Sequence, residues 1–482
     1  MSSDLSDAVT LAADIRAGRT SAAETIEAHL ARIAEHNPHL NALTVVFDDP
    51  ARREAERIDR ALAAGDDLGP LAGIPISVKE NIDLTWSATT EGWAGAAEAI
   101  PSRDATVVAR LRAAGAIPIG RGNMPDFGMR WDTDNDLFGR TLNPFDPQRT
   151  TFGSSGGDAV AVATGMSTIG LGNDFGGSIR LPAQALGICG LRPSVGRVPR
   201  AAVTDLPVAL TLQRFAVNGM LARSVADLDM ALGVIAGPDV GDPVSLALPP
   251  VGAYGGPRRV ALVRDPLGWG VQPDAAAGVD RAATALRAAG WQVDEIEPPH
   301  LEEAFTLMRR LAVTEMTGGA LPAPLGRSAD MFMRDSARAI AAFESVADYA
   351  AAWARRVVIE AAWRRLQVEY PVILGPIGTG GIPATDFDLG GPEQADAAWR
   401  MFRLVVVVNF LGLPAVAVPT GLGGDGMPTG AQLIGPMHGE AAALAAARDI
   451  EAAHGVESAH GVESAPGVES APGVSLREGF SA

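Results

Sequence analysis

Lys79 is the only lysine of the chain, although 39 residues are lysine or arginine. A lysine amine can lose its proton when it is buried and can then act as a base, whereas an arginine guanidinium stays charged. Lys79 follows a short apolar segment, residues 73–78, that predicts a strand. Strand ends and the loops after them commonly hold catalytic groups in α/β proteins. Lys79 is therefore a candidate base, and the alternative is a surface lysine left by a compositional drift toward arginine.

Glycine and serine are concentrated in two segments that could hold a nucleophile. Residues 153–157 read GSSGG, and residues 173–180 read NDFGGSIR, which includes Ser178. Glycine allows the backbone to approach a ligand closely, and successive amide N–H groups beside a hydroxyl can bind a developing oxyanion. A phosphate-binding loop is the alternative, but neither segment has the required GxxxxGK[S/T] spacing.

A serine nucleophile needs a base, and the chain offers few histidines for that role. No histidine lies between His39 and His300. His300 and His438 remain as candidates, and each follows proline-containing, turn-like sequence. A lysine can serve instead when burial and a hydrogen-bonded hydroxyl favour its neutral form. The sequence favours a serine–lysine arrangement.

Composition limits the partners and the compartment that we expect. The net charge of −18 argues against nucleic acid or an anionic membrane as a partner. The single cysteine, Cys189, cannot form an internal disulfide and is typical of a reducing cytoplasm. No apolar run approaches the roughly 18–20 residues that a membrane span needs. We therefore expect a cytoplasmic protein that binds neither nucleic acid nor a membrane.

Short apolar segments alternate with alanine-rich helical patterns from about residue 71 to residue 235. This alternation predicts an α/β fold with a mostly parallel or mixed sheet. Residues 404–420 also resemble buried strands, first in the run VVVV at 405–408 and again at 415–418. We predict one large domain over residues 1–450. From residue 451 onward a repeated six-residue unit, AHGVES or APGVES, predicts a disordered or extended tail.

The segment from residue 153 to residue 183 resembles the signature of the amidase signature enzymes. Residues 73–83, 120–128, 409–419 and 430–436 also resemble this family. The resemblance implies a single α/β domain whose mixed central sheet carries helices on both faces. It further implies a serine hydrolase that needs no metal and no cofactor. Relatives of this kind are often dimers, so a homodimer is an expectation.

The resemblance also implies roles for individual residues. Ser178 matches the nucleophile, Lys79 the base, and Ser154 the serine in a cis peptide linkage that relays protons between them. The implied oxyanion hole consists of the backbone N–H groups of Phe175, Gly176, Gly177 and Ser178. The implied substrate-binding residues are Gly128, Met129, Trp131, Gly153 and Ile377.

The implied reaction is hydrolysis of a carbon–nitrogen bond in a small, uncharged and fairly hydrophobic amide, anilide or carbamate. One alternative is the glutamine-hydrolysing subunit of an amidotransferase, but residues 401–408 lack the acid that this branch carries there. Another alternative is a non-catalytic binding protein, although Lys79, Ser154 and Ser178 are all present. Phe152, Asp158 and Phe175 depart from the usual pattern, and we expect them to reshape the pocket wall.

Overall fold

The computed structural model of the protein describes residues 6–200, 208–319 and 324–454. Within these ranges the strands form one 11-stranded sheet in the order β1-β3-β2-β4-β6-β5-β10-β11-β9-β7-β8. The strands are β1 (Leu43–Val46), β2 (Pro75–Lys79), β3 (Ile117–Gly122), β4 (Ile169–Asp174), β5 (Cys189–Arg192), β6 (Val217–Ala222), β7 (Arg259–Leu262), β8 (Gln292–Glu295), β9 (Val372–Gly375), β10 (Ala415–Leu422) and β11 (Pro428–Ile434).

The sheet is mixed, as predicted. Strand β2 runs parallel to both β3 and β4, and β7 runs parallel to β8 and β9. The other neighbouring strands are antiparallel. Because β2 and β4 are adjacent and parallel, the residues that follow their carboxyl ends meet at one edge of the sheet.

The described residues form fifteen α-helices. They are α1 (Ala8–Arg16), α2 (Ala22–Leu40), α3 (Asp48–Ala63), α4 (Thr106–Ala113), α5 (Gly156–Ala163), α6 (Arg180–Ala185), α7 (Leu210–Phe215), α8 (Val225–Ile235), α9 (Pro273–Ala288), α10 (Leu301–Thr317), α11 (Arg327–Ala339), α12 (Val346–Glu369), α13 (Pro392–Met401), α14 (Arg403–Leu411) and α15 (Glu440–His454). None of these helices is both long enough and apolar enough to cross a membrane.

Helices cover both faces of the sheet and create two hydrophobic cores. Successive residues of β10 alternate between them: Ala415 and Ala417 belong to one core, and Val416 and Val418 belong to the other. This alternation follows from the two-residue period of a strand. The first core includes side chains of α5, α6 and α14, and the second includes side chains of α8, α9 and α15. The predicted α/β architecture is therefore confirmed.

The structure corrects two predictions about elements. The run Val405–Val408 does not form a strand, because it belongs to α14, which is buried along its whole length. A short apolar run has no polar face, so its sequence cannot distinguish a buried helix from a buried strand. Helix α15 reaches His454, so residues 451–454 are helical rather than part of the predicted tail. The rest of that tail lies outside the described residues.

Helix α5 packs unusually close to the chain that follows β3, and glycine makes this possible. A Cβ atom on Gly157 would lie 2.1 Å from the backbone nitrogen of Asn123 and 2.4 Å from the carbonyl oxygen of Ala42. The Gly157 N–H also donates to the Asn123 carbonyl at 3.1 Å. These neighbours are backbone atoms of a packed sheet edge, which cannot move aside as a flexible side chain can.

We predict that Gly157→Ala lowers the free energy of unfolding by about 3 kcal/mol or more, because it overpacks this contact. The matched control is Gly233→Ala in α8, where a Cβ atom would meet nothing within 4 Å. That change should stabilise the protein by about 0.5–1 kcal/mol, since alanine is the better helix former. Denaturant unfolding of both variants checks the prediction, and equal stabilities would contradict it.

Candidate active site

Lys79 is the last residue of β2, and its side chain is completely buried. Its Nζ donates hydrogen bonds to Ser154 Oγ at 2.7 Å and to Asn173 Oδ1 at 2.8 Å. Asn173 belongs to β4, the parallel neighbour of β2, and donates in turn to Asn81 Oδ1 at 2.7 Å. The sheet edge and these two acceptors fix the direction of the amine.

Ser154 lies just before α5, and the Gly153–Ser154 peptide bond is cis. The serine is almost fully buried. Gly128 borders its hydroxyl closely, because a Cβ atom there would lie 2.9 Å from Ser154 Oγ. Gly128 also has a φ of 69°, a conformation that favours glycine. Ser154 therefore lies between Lys79 and a segment that must stay small.

Ser178 lies in the turn between β4 and α6, and its exposed fraction is 6%. The Ser155 N–H donates to the Ser178 carbonyl at 3.2 Å, so the two glycine–serine segments lie together. The Ser155 hydroxyl donates to the Asn173 carbonyl at 3.4 Å. Within the described residues, no direct hydrogen bond joins the hydroxyls of Ser154 and Ser178. Catalytic hydrogen bonds are often loose when no substrate is bound.

Backbone N–H groups near Ser178 are left without acceptors. In the described part of the chain, the N–H groups of Phe175, Gly176 and Ser178 donate to no protein atom. Unpaired backbone donors are uncommon in folded proteins, and here they face a site that could hold a developing negative charge. The N–H of Gly177 differs, because it donates to Asp174 Oδ1 at 2.8 Å. Three of the four predicted oxyanion donors are therefore available.

A buried ion pair holds the Ser178 turn in place. Asp174 accepts hydrogen bonds from Arg180 Nε at 3.0 Å and from Asn409 Nδ2 at 2.8 Å. Burial opposes the charge of Asp174, but Arg180 outweighs it and holds the pKa of this carboxyl below its usual value. Arg180 also donates to Gln432 Oε1 at 2.8 Å. These contacts tie the turn to α14 and β11, so Asp174 and Arg180 have a structural role here.

Burial lowers the pKa of Lys79 to about 7. The nearby carboxylates of Asp158 and Asp174 act in the opposite direction, because they favour the ammonium form. Asp158 lies in α5, and its Oδ1 accepts from Ser77 Oγ at 2.7 Å. Ser77 precedes Lys79 by two residues on β2, so both side chains lie on the α5 face of the sheet. A neutral amine is thus accessible near neutral pH.

Asp158 does not lie at the pocket wall, where the sequence comparison with the family pattern predicts it. It is completely buried beneath the end of β2, and its Oδ2 has no hydrogen-bond partner. Burial raises the pKa of this carboxyl to about 7. Phe152 is also fully buried, where it packs edge-on against Phe387 and Phe402. Among the three departures from the family pattern, only Phe175 lines the cavity beside Ser178.

The cavity beside Ser178 encloses about 730 Å³, including its mouth. Its walls are largely apolar, and the lining residues are Phe127, Gly128, Met129, Arg130, Trp131, Phe175, Gly176, Ser178, Ala209, Thr211, Leu212, Glu315, Met316, Phe332 and Trp399. Three of the five predicted substrate-binding residues, Gly128, Met129 and Trp131, are therefore on its wall. Gly153 packs behind this wall against the backbone of Arg130. Ile377 is 1% exposed and lies in the hydrophobic core instead.

The histidines considered as alternative bases lie elsewhere. Neither His300, which precedes α10, nor His438, which follows β11, lines the cavity. The His300 ring lies 3.4 Å from Glu303 at the protein surface. Within the described residues, no group of three or more histidine, cysteine or acidic side chains is arranged to hold a metal ion.

The sequence interpretation missed Asn173 and the more distant parts of the cavity wall. Asn173 stands directly before Asp174, and its place at the end of a strand beside β2 was the available signal. Glu315, Phe332 and Trp399 come from helices far along the chain. Their positions depend on how those helices pack, which the sequence pattern alone does not reveal.

Comparison with known proteins identifies the family. The family model named Amidase matches residues 24–444. The chain is 38% identical over 452 residues to indoleacetamide hydrolase of Bradyrhizobium diazoefficiens, covering 92% of this chain and 86% of that protein. It is 34% identical over 470 residues to a glutamyl-tRNA(Gln) amidotransferase subunit of Synechococcus sp. strain CC9605, covering 91% of this chain and 94% of that protein.

Solved structures lead to the same family. The structure of 6-aminohexanoate cyclic dimer hydrolase in complex with substrate superposes with a TM-score of 0.80 at 27% identity, covering 94% of this chain and 98% of that one. The match extends over almost the whole of both chains, and Phe175, Gly176 and Ser178 of the signature segment line the cavity. The chain belongs to the amidase family, and it is an enzyme that hydrolyses amide carbon–nitrogen bonds.

Proposed function

We propose that this amidase works through a Ser178 acyl-enzyme, with Lys79 as the base and Ser154 as the proton relay. The observation that carries the proposal is the 2.7 Å hydrogen bond from the buried Lys79 amine to Ser154, close to a cavity that exposes Ser178. Burial makes the neutral amine accessible, as a base requires. The unpaired N–H groups of Phe175, Gly176 and Ser178 supply the oxyanion hole.

In the first half-reaction, neutral Lys79 takes the Ser154 proton while Ser154 takes the Ser178 proton. Ser178 Oγ then forms a bond to the substrate carbonyl carbon, and the oxygen becomes an oxyanion facing the three N–H donors. Collapse of this intermediate breaks the carbon–nitrogen bond. The departing nitrogen receives a proton from Ser154, which recovers one from Lys79, so the amine leaves neutral and an ester remains on Ser178.

In the second half-reaction, water replaces the amine. The same relay removes a proton from water, and the resulting hydroxide attacks the acyl carbon. Breaking the ester bond returns a proton to Ser178 and releases the acid. Each group ends in its starting state, so two serines, one lysine and water suffice for turnover.

The cavity wall supports an apolar substrate of moderate size. Trp131, Phe175, Phe332 and Trp399 supply aromatic surface, and Trp131 packs edge-on against Trp399 with ring centroids 4.8 Å apart. Such walls favour flat or otherwise apolar acyl groups. We therefore propose hydrophobic amides, anilides or carbamates as substrates, with arylacetamides as the first to test because the 38% identical relative is an indoleacetamide hydrolase.

We expect the enzyme to release ammonia from arylacetamides more efficiently than from glutamine or asparagine, because the wall offers apolar contacts. Ammonia release from primary aryl amides, N-unsubstituted carbamates and the two amino acids, together with arylamine release from anilides, measures this preference. Ser178→Ala should abolish turnover and labelling by a fluorophosphonate probe. A strong preference for glutamine would favour the glutamine-hydrolysing function of an amidotransferase, and an unlabelled wild-type enzyme would favour a binding protein.

Lys79→Arg should lower kcat/KM about 10²–10⁴-fold near neutral pH, since it keeps the positive charge but removes the group that can become neutral. Steady-state kinetics on the best substrate of the panel measures the loss. Arg16→Lys makes the opposite exchange at an exposed site on α1. It serves as the control and should leave kcat/KM unchanged. Substantial activity of Lys79→Arg would place the base elsewhere.

The value of kcat/KM should fall as the pH drops below about 7, because protonated Lys79 cannot act as a base. We call this fall the acidic limb of the pH profile. Asp158 favours the ammonium form, so Asp158→Asn should lower the pKa of Lys79 and shift this limb to lower pH. Asp229→Asn, a surface carboxylate of α8 bound to Arg448, is the control and should leave the limb unchanged. A limb that moves upward in Asp158→Asn would contradict the assignment.

A further inference from the structure

The cavity contains one carboxylate that hydrolysis itself does not require. Glu315 of α10 lines the wall together with Thr211 of α7. Apart from the reacting Ser178, the lining side chains with polar groups are Arg130, Trp131, Thr211, Glu315 and Trp399, whose Nε1 donates to Ser336 Oγ at 3.3 Å. A charged group on an otherwise apolar wall is costly unless something binds to it.

Among the residues that the structure describes, only neutral donors bind the Glu315 carboxylate. Its Oε2 accepts from the backbone N–H of Thr211 at 2.9 Å and from Thr211 Oγ1 at 2.6 Å. Its Oε1 accepts from the hydroxyl of Tyr349 at 2.5 Å. A carboxylate offers about four acceptor positions, so capacity remains for another donor. Within the described residues, no arginine, lysine or histidine forms an ion pair with Glu315.

Arg130 pairs with other carboxylates rather than with Glu315. Its guanidinium is fully buried, and one nitrogen donates to Asp388 at 2.7 Å and to Asp386 at 2.9 Å. Trp131 Nε1 likewise already donates to the Gly176 carbonyl at 2.9 Å. The unneutralised charge among the lining residues is therefore negative.

We propose that Glu315 determines substrate specificity by accepting a hydrogen bond from an N–H group on the substrate, most strongly from a cationic amino group, away from the scissile amide. The proposal rests on the proposed function and narrows it to amides that combine an apolar body with such a donor. Hydrogen bonds between charged groups are roughly twice as strong as neutral ones, and apolar surroundings strengthen them further. A carboxylate at the same place on the substrate would be repelled.

Three phenylacetamides of similar shape test the proposal. They carry a para substituent that is cationic (aminomethyl), neutral (ethyl) or anionic (carboxyl). Calorimetric titration into Ser178→Ala, which binds without turnover, should give a dissociation constant about tenfold lower for the cationic than for the neutral compound. The anionic compound should bind more weakly than both. Steady-state kcat/KM of the wild-type enzyme should follow the same order.

Glu315→Gln, added to Ser178→Ala, keeps the shape of the side chain and an oxygen for the Thr211 donors but removes the charge. We expect the tenfold preference for the cationic compound to fall to about one. Glu315→Asp keeps the charge and should retain a preference. Glu302→Gln is the matched control, because it makes the same chemical change at an exposed position of the same helix and should leave the preference intact.

Ratios between compounds within one variant are independent of how much protein is correctly folded. Equal binding of the cationic and neutral compounds to Ser178→Ala would overturn the proposal, and so would an unchanged preference in Glu315→Gln or no measurable binding of the cationic compound. If the cationic compound binds more tightly but the wild-type enzyme hydrolyses none of the compounds, the proposed function is contradicted and the role of Glu315 is supported.

Discussion

The proposed mechanism depends on the burial of a single amine, that of Lys79, at the edge of the sheet. Water would keep Lys79 protonated, and a protonated lysine cannot accept a proton from serine. The fold removes that water by placing the side chain between the sheet and α5, with two oxygen acceptors within 2.8 Å. Burial and the neighbouring carboxylates act in opposite directions on the amine. Their balance leaves both protonation states within reach near neutral pH, which general base catalysis requires.

In the turn after β4, backbone N–H groups without acceptors lie beside side chains that make many hydrogen bonds. Phe175, Gly176 and Ser178 leave their N–H groups free, and such groups cost free energy when they are buried. Directly beside them, Asp174 and Arg180 form a buried, hydrogen-bonded cluster that reaches α14 and β11. In the proposed mechanism, this support holds the free donors in position for charge that appears only during the reaction. The stability of this turn therefore keeps its N–H donors preorganised.

Chemically distinctive residues could be predicted from the sequence, and packing-dependent ones could not. Lys79, Ser154 and Ser178 stand out because of rarity, glycine-rich surroundings and a specific family motif, and the structure brings them together. The run Val405–Val408 was misassigned because its side chains are apolar on every side. The sequence placed Ile377 and Asp158 at the cavity wall, but both are buried away from it. Their burial depends on which elements pack around them, and the sequence pattern does not show that packing. Glu315 carries no local signal, since it reaches the cavity only through the packing of α10 beside α7.

The cavity draws its reactive groups and its walls from different elements. The proposed hydrolytic residues belong to β2, the chain just before α5 and the turn after β4. The wall residues Thr211, Glu315, Phe332 and Trp399 come from α7, α10, α11 and α13. Selection can therefore exchange wall side chains without disturbing proton transfer, and the reaction can persist while the range of accepted molecules drifts. Because of this division, a few substitutions on the helices of the wall can change which substrate is accepted while the groups that transfer protons stay the same.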